Sequence, residues 1–177
     1  MAEENNAAAQ AGTDQSQQGP VMQLERCYLK DASLEMPHAP EIFYTQLEEQ
    51  PTVDVQFEVI PQQLPVDNRY EVTVRGTITV KSKDKTLFLA EGKQAGVFVM
   101  AGFTAEQLQQ IANISCPAIV YPYLRANLAD LITRTGMPPV HLPEVNFEAL
   151  YMQRVAQAQA QAEQAAAAEG SSVQQGA

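Results

Sequence analysis

Side chains that commonly perform catalysis or bind metals are scarce in this chain. Its 177 residues include two histidines, two cysteines and no tryptophan. His38 and His141 are far apart, and no further ligand stands at the short spacing that a metal site needs. Cys27 and Cys116 lie far apart without CxxC spacing, which disfavours both a zinc site and a disulfide framework. Because nucleophile-elbow, Walker and dinucleotide motifs are absent too, we predict a protein that is not an enzyme and uses no cofactor or metal.

Basic charge and long apolar runs are also in short supply. Eleven Lys and Arg stand against twenty-one Asp and Glu, so the formal charge is -10 at pH 7. This balance disfavours nucleic acid and anionic membranes as partners, and is typical either of simple solubility or of a basic partner. No apolar run reaches the length of a membrane span, and the N-terminus lacks the basic start and apolar centre of a signal peptide. We therefore expect a cytoplasmic protein without membrane insertion.

Composition divides the chain into three parts. Residues 1–20 are rich in Gln, Asn, Ala and Gly with almost no apolar anchor, which predicts a disordered tail. Residues 156–177 are of low complexity and rich in Ala and Gln, which predicts a tail that is partly helical or disordered. Residues 21–155 carry periodic apolar patterns and are numerous enough for one domain with a core.

Alternating apolar and polar residues predict four strands in that domain. Their approximate ranges are 31–36, 53–59, 70–80 and 86–100. The short polar link 82–85 predicts an antiparallel hairpin of the last two strands, and the polar link 61–68 precedes it. Residues 37–51 form a long, partly apolar crossover loop between strands 1 and 2. Such loops are often functional, although their apolar side chains would serve equally well to cover one end of the core.

Helical patterns follow the strands. Thr104 and Gln107 resemble a capping box, and a longer helix is expected from about Pro117. Pro122 is expected to kink that helix or to delay its start. Asn146 is expected to cap a last helix. The inner face of the last helix is expected to contain Phe147, Leu150, Tyr151 and Val155. Strands followed by helices predict an α+β fold with one antiparallel sheet.

The predicted helices are sufficient to cover only one face of the sheet. By strand parity, the opposite face presents Asp31, Ser33 and Glu35 on the first strand, with Leu89 and Glu91 on the fourth. A flat acidic face of this kind can bind a basic partner, although a solvated face is the simpler interpretation. Small residues on the other side of the fourth strand permit close approach of a helix or of another subunit.

Five sequence blocks carry a family resemblance. They are YLKDASLEMPHAP (28–40), RYEVTVRGTITV (69–80), FLAEGKQAGVFVMAGF (88–103), SCPAIVYPYLRANLADLITRTGMPP (115–139) and LPEVNFEALYMQ (142–153). They resemble the SecB family of bacterial protein-export chaperones. The resemblance implies a four-stranded antiparallel sheet with packed C-terminal helices, and a homotetramer assembled as a dimer of dimers. It also implies a chaperone that keeps unfolded precursor proteins translocation-competent and delivers them to SecA, the export motor ATPase, without nucleotide or metal of its own.

The resemblance also implies roles for particular residues. The SecA-docking face corresponds to Asp31, Glu35, Leu89 and Glu91. The tetramer contacts of the family correspond to Ala90, Gly92 and Gln94. The groove for client proteins is expected to contain Ile42, Phe43, Tyr44, Leu47, Tyr121, Tyr123 and Met152. The chain departs from some members because it lacks a crossover-loop Trp and a basic C-terminal cluster, which leaves a contribution of the tail to docking open.

Two other classes of function stay open on sequence alone. One is an enzyme or small-ligand domain whose pocket the sequence does not reveal, although sparse histidines and unclustered acids disfavour it. The other is a structural oligomeric adaptor that binds SecA-like partners but no unfolded chains.

Overall fold

The computed structural model describes the backbone of residues 19–47 and 49–173, and side chains as far as residue 162. Most of the predicted N-terminal tail, and the last four residues of the predicted C-terminal tail, lie outside this range. Where the C-terminal tail is described, as far as Val173, its backbone continues a helix.

A four-stranded antiparallel sheet forms the centre of the molecule, as predicted. The strands are β1 (Val21–Glu35), β2 (Thr52–Gln63), β3 (Arg69–Ser82) and β4 (Lys85–Ala101). Their order in the sheet is β1-β4-β3-β2, and each neighbouring pair is antiparallel. Since β1 and β2 lie at opposite edges, the loop between them has to cross from one edge of the sheet to the other.

Strand β1 is longer than the sequence pattern predicts. It has fifteen residues, and its pairing with β4 shifts between Leu24 and Arg26 and again between Leu29 and Asp31. Each shift leaves one residue, Glu25 or Lys30, without a partner opposite, as in a β-bulge. The bulges interrupt the alternation on which the prediction depended, so only the regular end of the strand was recognised.

The helices follow the sheet, and all but the last form one continuous stretch. Helix α1 (Ala105–Gln110) continues through a π-helical turn (Ile111–Ser115) into α2 (Cys116–Thr133), and α3 spans Phe147–Val173. The capping box is confirmed, because the Thr104 hydroxyl accepts from the Gln107 amide at 3.3 Å and the Gln107 side chain accepts from the Thr104 amide at 2.9 Å. The predicted Asn146 cap is also confirmed, since its Oδ1 accepts from the amide of Ala149 at 3.0 Å.

Pro122 does not delay the start of α2, so one of its two predicted effects is wrong, and the alternative of a kink stays a prediction. The helix begins at Cys116 and contains Pro122 in its interior. Proline deprives only the carbonyl four residues earlier, that of Ala118, of its helical partner. Ala118 is exposed, so water can satisfy that carbonyl in place of the missing amide.

Helix α2 covers one face of β3 and β4, and strand glycines allow it to approach closely. A Cβ atom at Gly92 would lie 3.1 Å from Leu124 Cδ1 and from Leu128 Cδ2, and one at Gly76 would lie 3.1 Å from Leu128 Cδ1. Leu124 and Leu128 are both buried in the core. The small residues of the fourth strand therefore accommodate a helix of the same chain.

Candidate binding surfaces

The opposite face of the sheet carries the four residues predicted to dock SecA. Asp31 pairs with Lys93 across β1 and β4, and Glu35 pairs with Leu89. Since Gly92 points toward α2, its strand neighbours Glu91 and Lys93 point to the uncovered side. Asp31, Glu35, Leu89 and Glu91 thus share one face on two adjacent strands, as strand parity predicted. Their role in docking is a separate matter and stays a prediction.

Two cations that the sequence analysis did not single out lie among these acids. Arg75 Nη2 is 2.6 Å from Glu91 Oε2, and Arg75 Nη1 is 3.5 Å from Glu58 Oε2. Lys93 Nζ is 3.2 Å from Asp31 Oδ2 and 3.5 Å from Glu91 Oε1. The five side chains form a continuous row of alternating charge across all four strands. For Lys93 the signal in the sequence was its position two residues from Glu91 in β4; Arg75 lies in β3, so only the pairing of β3 with β4 places it on this face.

The row of charges changes the proton affinity of its members. The hydrogen bond from Arg75, supported by the charge of Lys93, holds the pKa of the Glu91 carboxyl below its usual value although burial acts in the opposite direction. The hydrogen bond to Asp31 raises the pKa of Lys93, although desolvation opposes it. Glu91 and Lys93 are therefore both firmly charged at neutral pH, and each is partly neutralised by the other.

A second polar cluster ties β1 to β3 over the intervening strand. Tyr28 and Lys30 both donate to the carboxylate of Glu71, and Thr73 Oγ1 donates to it at 3.3 Å. The hydrogen bond to Glu71 is the main cause that raises the pKa of Tyr28 to about 12. Burial alone would raise the pKa of Glu71, but the bonds from Lys30, Tyr28 and Thr73 outweigh it and lower that pKa. The side chain of Ala95 lies between these strands and is short enough for the cluster to pass over it.

The crossover loop lies against the β3–β4 hairpin and forms one of several cavities. This crossover cavity has a volume of about 420 Å³. Its lining is Ile42, Thr45, Gln46, Leu47, Ser82, Lys83, Asp84, Lys85 and Leu87. Lys85 Nζ is 2.9 Å from Glu41 Oε1, and Ser82 Oγ donates to the Glu49 carbonyl at 2.8 Å. These contacts hold the loop against the hairpin on either side of its apolar residues.

A second cavity lies between α2 and the segment that leads into α3. This helix cavity has a volume of about 410 Å³. Its lining is Ala118, Tyr121, Pro122, Arg125, Glu144, Val145 and Phe147. The Tyr121 hydroxyl donates to the carbonyl of Pro143, and its ring meets those of Phe57 and Phe147 edge-on at centroid distances of 5.5 and 5.6 Å. Burial raises the pKa of Tyr121.

The structure does not bring the seven predicted groove residues into one cavity. Ile42 and Leu47 line the crossover cavity, and Tyr121 lines the helix cavity. Ile42 and Tyr121 are buried, at 8% and 5% exposure, so each contributes to the core as well as to a cavity wall. The other four line neither cavity and are exposed at the surface: Phe43 58%, Tyr44 75%, Tyr123 51% and Met152 58%.

The three residues predicted at tetramer contacts are buried beneath the helix of their own chain. Ala90, Gly92 and Gln94 have almost no exposed surface, and the Cβ position of Gly92 is against α2. Gln94 accepts from Asn127 Nδ2 at 2.8 Å and donates to Cys27 Sγ at 3.4 Å. Any effect of these residues on self-association would therefore act through the position of α2.

Comparison with known proteins decides the family. A family model described as "Preprotein translocase subunit SecB" matches residues 15–158. The chain belongs to the SecB family. A protein of Bordetella petrii named "Protein-export protein SecB" is 50% identical over 157 residues, which are 89% of this chain and 86% of that protein. The protein of the same name from Burkholderia vietnamiensis is 49% identical over 87% of this chain and 95% of its own length.

A solved structure supports the same fold at lower sequence similarity. The SecB-like chaperone Rv1957 of Mycobacterium tuberculosis was solved in complex with a ChAD peptide from the HigA1 antitoxin Rv1956. It matches with a TM-score of 0.57 and 22% identity, covering 70% of this chain and 90% of that one. This SecB-family chain is thus a protein-export chaperone with an α+β fold.

The described part of the chain contains neither a membrane-spanning helix nor a cluster of metal-binding side chains. No helix there is both long and apolar enough to cross a membrane. Within the same residues, no three His, Cys, Asp or Glu side chains lie close enough together to hold a metal ion.

Proposed function

We propose that this chain is a cytoplasmic SecB chaperone that binds unfolded precursor proteins through exposed apolar surfaces and delivers them to SecA. The observation that carries the proposal is the set of apolar side chains exposed on the crossover loop beside the crossover cavity. Phe43 and Tyr44 are more than half exposed and Leu47 is 41% exposed, and all three lie within five residues of the crossover loop. A cluster of this kind is typical of a surface that binds another polypeptide.

Weak apolar contacts of this kind suit many different clients. Aromatic and aliphatic side chains select for apolar segments rather than for one sequence, so any chain that has not yet buried such segments is a candidate. Several such surfaces on one assembly would bind the same client simultaneously, and effective concentration would then make the overall affinity much higher than that of one surface.

The acidic face is the proposed docking surface for SecA. Asp31, Glu35 and Glu91 present carboxylates on the same side of the sheet, and Leu89 adds an apolar side chain among them. Charge complementarity favours a basic segment on the partner, with Leu89 as its apolar contact. The acidic face adjoins the crossover loop at Leu89, which is two residues from Leu87 of the crossover cavity, and it extends away from the loop along β1 and β4 to Asp31 and Lys93. We therefore propose that client and SecA bind neighbouring surfaces of one chain.

Self-association into a homotetramer, as a dimer of dimers, completes the proposal. Strand β1 is an edge strand of fifteen residues, and Tyr28 and Leu29 on it are exposed. An exposed edge of this length presents unpaired backbone groups that a second copy can cover. The outer side of α2, with Ile119 and Tyr123 exposed, supplies further apolar surface.

One experiment tests client binding directly. The full chain is mixed with a slowly refolding precursor without nucleotide, and aggregation, refolding and the mass of the chaperone are followed. The variant Tyr44→Ser with Leu47→Ser should bind the client roughly tenfold more weakly or worse, because two apolar side chains are lost. The matched control is Val66→Ser, which removes a 50% exposed apolar side chain from the β2–β3 link and should leave binding unchanged.

The outcomes separate the functions. Delayed aggregation and delayed refolding by a tetramer support the chaperone, whereas a monomer without effect on either contradicts it. Charge reversal at Asp31, Glu35 and Glu91 should weaken SecA binding and leave client binding intact. SecA binding without any client binding would instead indicate a structural adaptor.

A further inference from the structure

We propose that Lys93 is a built-in competitor on the acidic face, because it occupies carboxylates that a basic partner must bind, and that it thereby sets the affinity of docking. This inference rests on the docking surface proposed above. The residues of that surface provide the binding, and Lys93 is an additional residue that weakens it. The consequence is unusual for a binding surface: removal of Lys93 should strengthen the complex.

The geometry places Lys93 between two of the three proposed docking carboxylates. Its Nζ lies 3.2 Å from Asp31 Oδ2 and 3.5 Å from Glu91 Oε1. The remaining carboxylate, that of Glu35, forms no ion pair with any residue in the described part of the chain. A basic side chain that arrives at Asp31 must therefore displace the ammonium group of Lys93 or bind beside it, where like charges repel each other.

Arg75 belongs to the same row of charges but has a different role. Its guanidinium makes a 2.6 Å contact with Glu91 and a longer one with Glu58, so it fixes the Glu91 carboxylate between two strands. Its Nε is buried without a hydrogen-bond partner, which indicates a side chain held in place by packing. Lys93 has a single compact charge on a flexible stem, and its contacts of 3.2 and 3.5 Å are longer than the 2.6 Å contact of Arg75 with Glu91. Lys93 is thus the cation that a partner can displace.

The size of the effect follows from the strength of exposed ion pairs. Each such pair contributes little to the binding free energy. Removal of Lys93 eliminates both of its contacts and its repulsion of a basic side chain on the partner, which should tighten binding roughly three- to tenfold at physiological salt. The gain should shrink as salt rises, because exposed charges are screened over about 8 Å at 0.15 M ionic strength.

The test compares the affinity of purified SecA for the full-length wild-type chain and for Lys93→Gln at three salt concentrations, by calorimetric titration. The control is Arg134→Gln, which also removes one positive charge from an exposed, ion-paired side chain. Arg134 follows the end of α2, the helix that covers the opposite face of the sheet, so it lies outside the proposed docking surface. Lys93→Arg keeps the positive charge and should therefore not strengthen SecA binding.

Further variants separate failure of this inference from failure of the docking surface. If Asp31→Asn and Glu35→Gln leave SecA binding unchanged, the docking surface itself is wrong. If they weaken binding but Lys93→Gln does not strengthen it, or if Arg134→Gln strengthens it equally, the competitor role is wrong. In the Asp31→Asn background, Lys93→Gln should gain less than in the wild type, because one of its two contacts is already lost.

Discussion

Gly96 in β4 offers a quantitative test of how closely α2 packs on the sheet. A Cβ atom at this position would lie 2.6 Å from Phe98 Cε2 and 2.9 Å from Val120 Cγ2, which is closer than van der Waals contact allows. Phe98 and Val120 are both fully buried. The added methyl group of Gly96→Ala must therefore displace an aromatic ring and a helix side chain inside the core.

The change in stability of Gly96→Ala is the loss from overpacking minus the gain from a less flexible unfolded chain. Overpacking of a buried site typically costs about 1–3 kcal/mol, whereas alanine restricts the unfolded chain and returns about 0.4–1 kcal/mol. Gly96→Ala should therefore lower the free energy of unfolding by about 1–2 kcal/mol. At Gly92 the nearest atoms are 3.1 Å away and are the methyl ends of Leu124 and Leu128. Gly92→Ala needs only a small shift of these flexible ends, so its two effects should cancel within about 1 kcal/mol.

Urea unfolding followed by circular dichroism measures both variants, since the chain has no tryptophan for fluorescence. Chain concentrations must be equal, because self-association would couple stability to concentration. Combining Gly96→Ala with Val120→Ala should cost less than the sum of the single changes, because the smaller helix side chain makes room for the methyl group. The packing argument would be refuted if Gly96→Ala had the same free energy of unfolding as Gly92→Ala. It would also be refuted if the losses from Gly96→Ala and Val120→Ala were fully additive.

Three further predictions concern charge, capping and thiol reactivity. Because the folded state lowers the pKa of Glu71, its contribution to stability is present above the ordinary carboxyl pKa and is lost as the pH falls through the folded value. Glu71→Gln should thus lower the free energy of unfolding at pH 7 by roughly 1–3 kcal/mol. Urea titrations at several pH values should also show that the free energy of unfolding falls less steeply below neutral pH than in the wild type, and an unchanged slope would contradict this. Asn146→Ala should lose about 1 kcal/mol by the same assay, and Asn146→Asp should not. Burial raises the pKa of Cys116 to about 12, so a thiol reagent should modify Cys116 only as fast as the chain unfolds. Rapid labelling of Cys116 in the folded protein would disprove this.

The elements predicted well are those whose signal is local in sequence. The capping box at Thr104 and the cap at Asn146 depend on residues three positions apart, and both are present. The face that carries Asp31 and Glu91 followed from alternation within single strands. By contrast, the first ten residues of β1 were missed because Glu25 and Lys30 interrupt the alternation at bulges. A bulge depends on the partner strand, so no pattern within one strand reveals it.

The bulges do more than lengthen β1. The extra residues Glu25 and Lys30 extend across β4 to cations and acids of β3: Arg69 Nε is 2.9 Å from Glu25 Oε2, and Lys30 pairs with Glu71. An edge strand is otherwise held by hydrogen bonds to one neighbour only. Here these two bridges, together with the hydrogen bond from Tyr28 to Glu71, attach it to a second strand and fix the orientation of the edge.

The number of acids on a surface does not by itself measure how strongly the surface attracts a cation. The sequence places Asp31, Glu35 and Glu91 on one face, but register decides which of them are already neutralised. Because Lys93 stands opposite Asp31 and Arg75 opposite Lys93, the strand pairing brings two cations among the acids. The field that a basic partner meets is consequently weaker than three carboxylates would produce, and Glu35 is the proposed docking acid least opposed by the chain's own charges. On the proposed docking surface, two chaperones with the same acids would therefore differ in affinity for SecA through a single basic residue opposite them in the sheet.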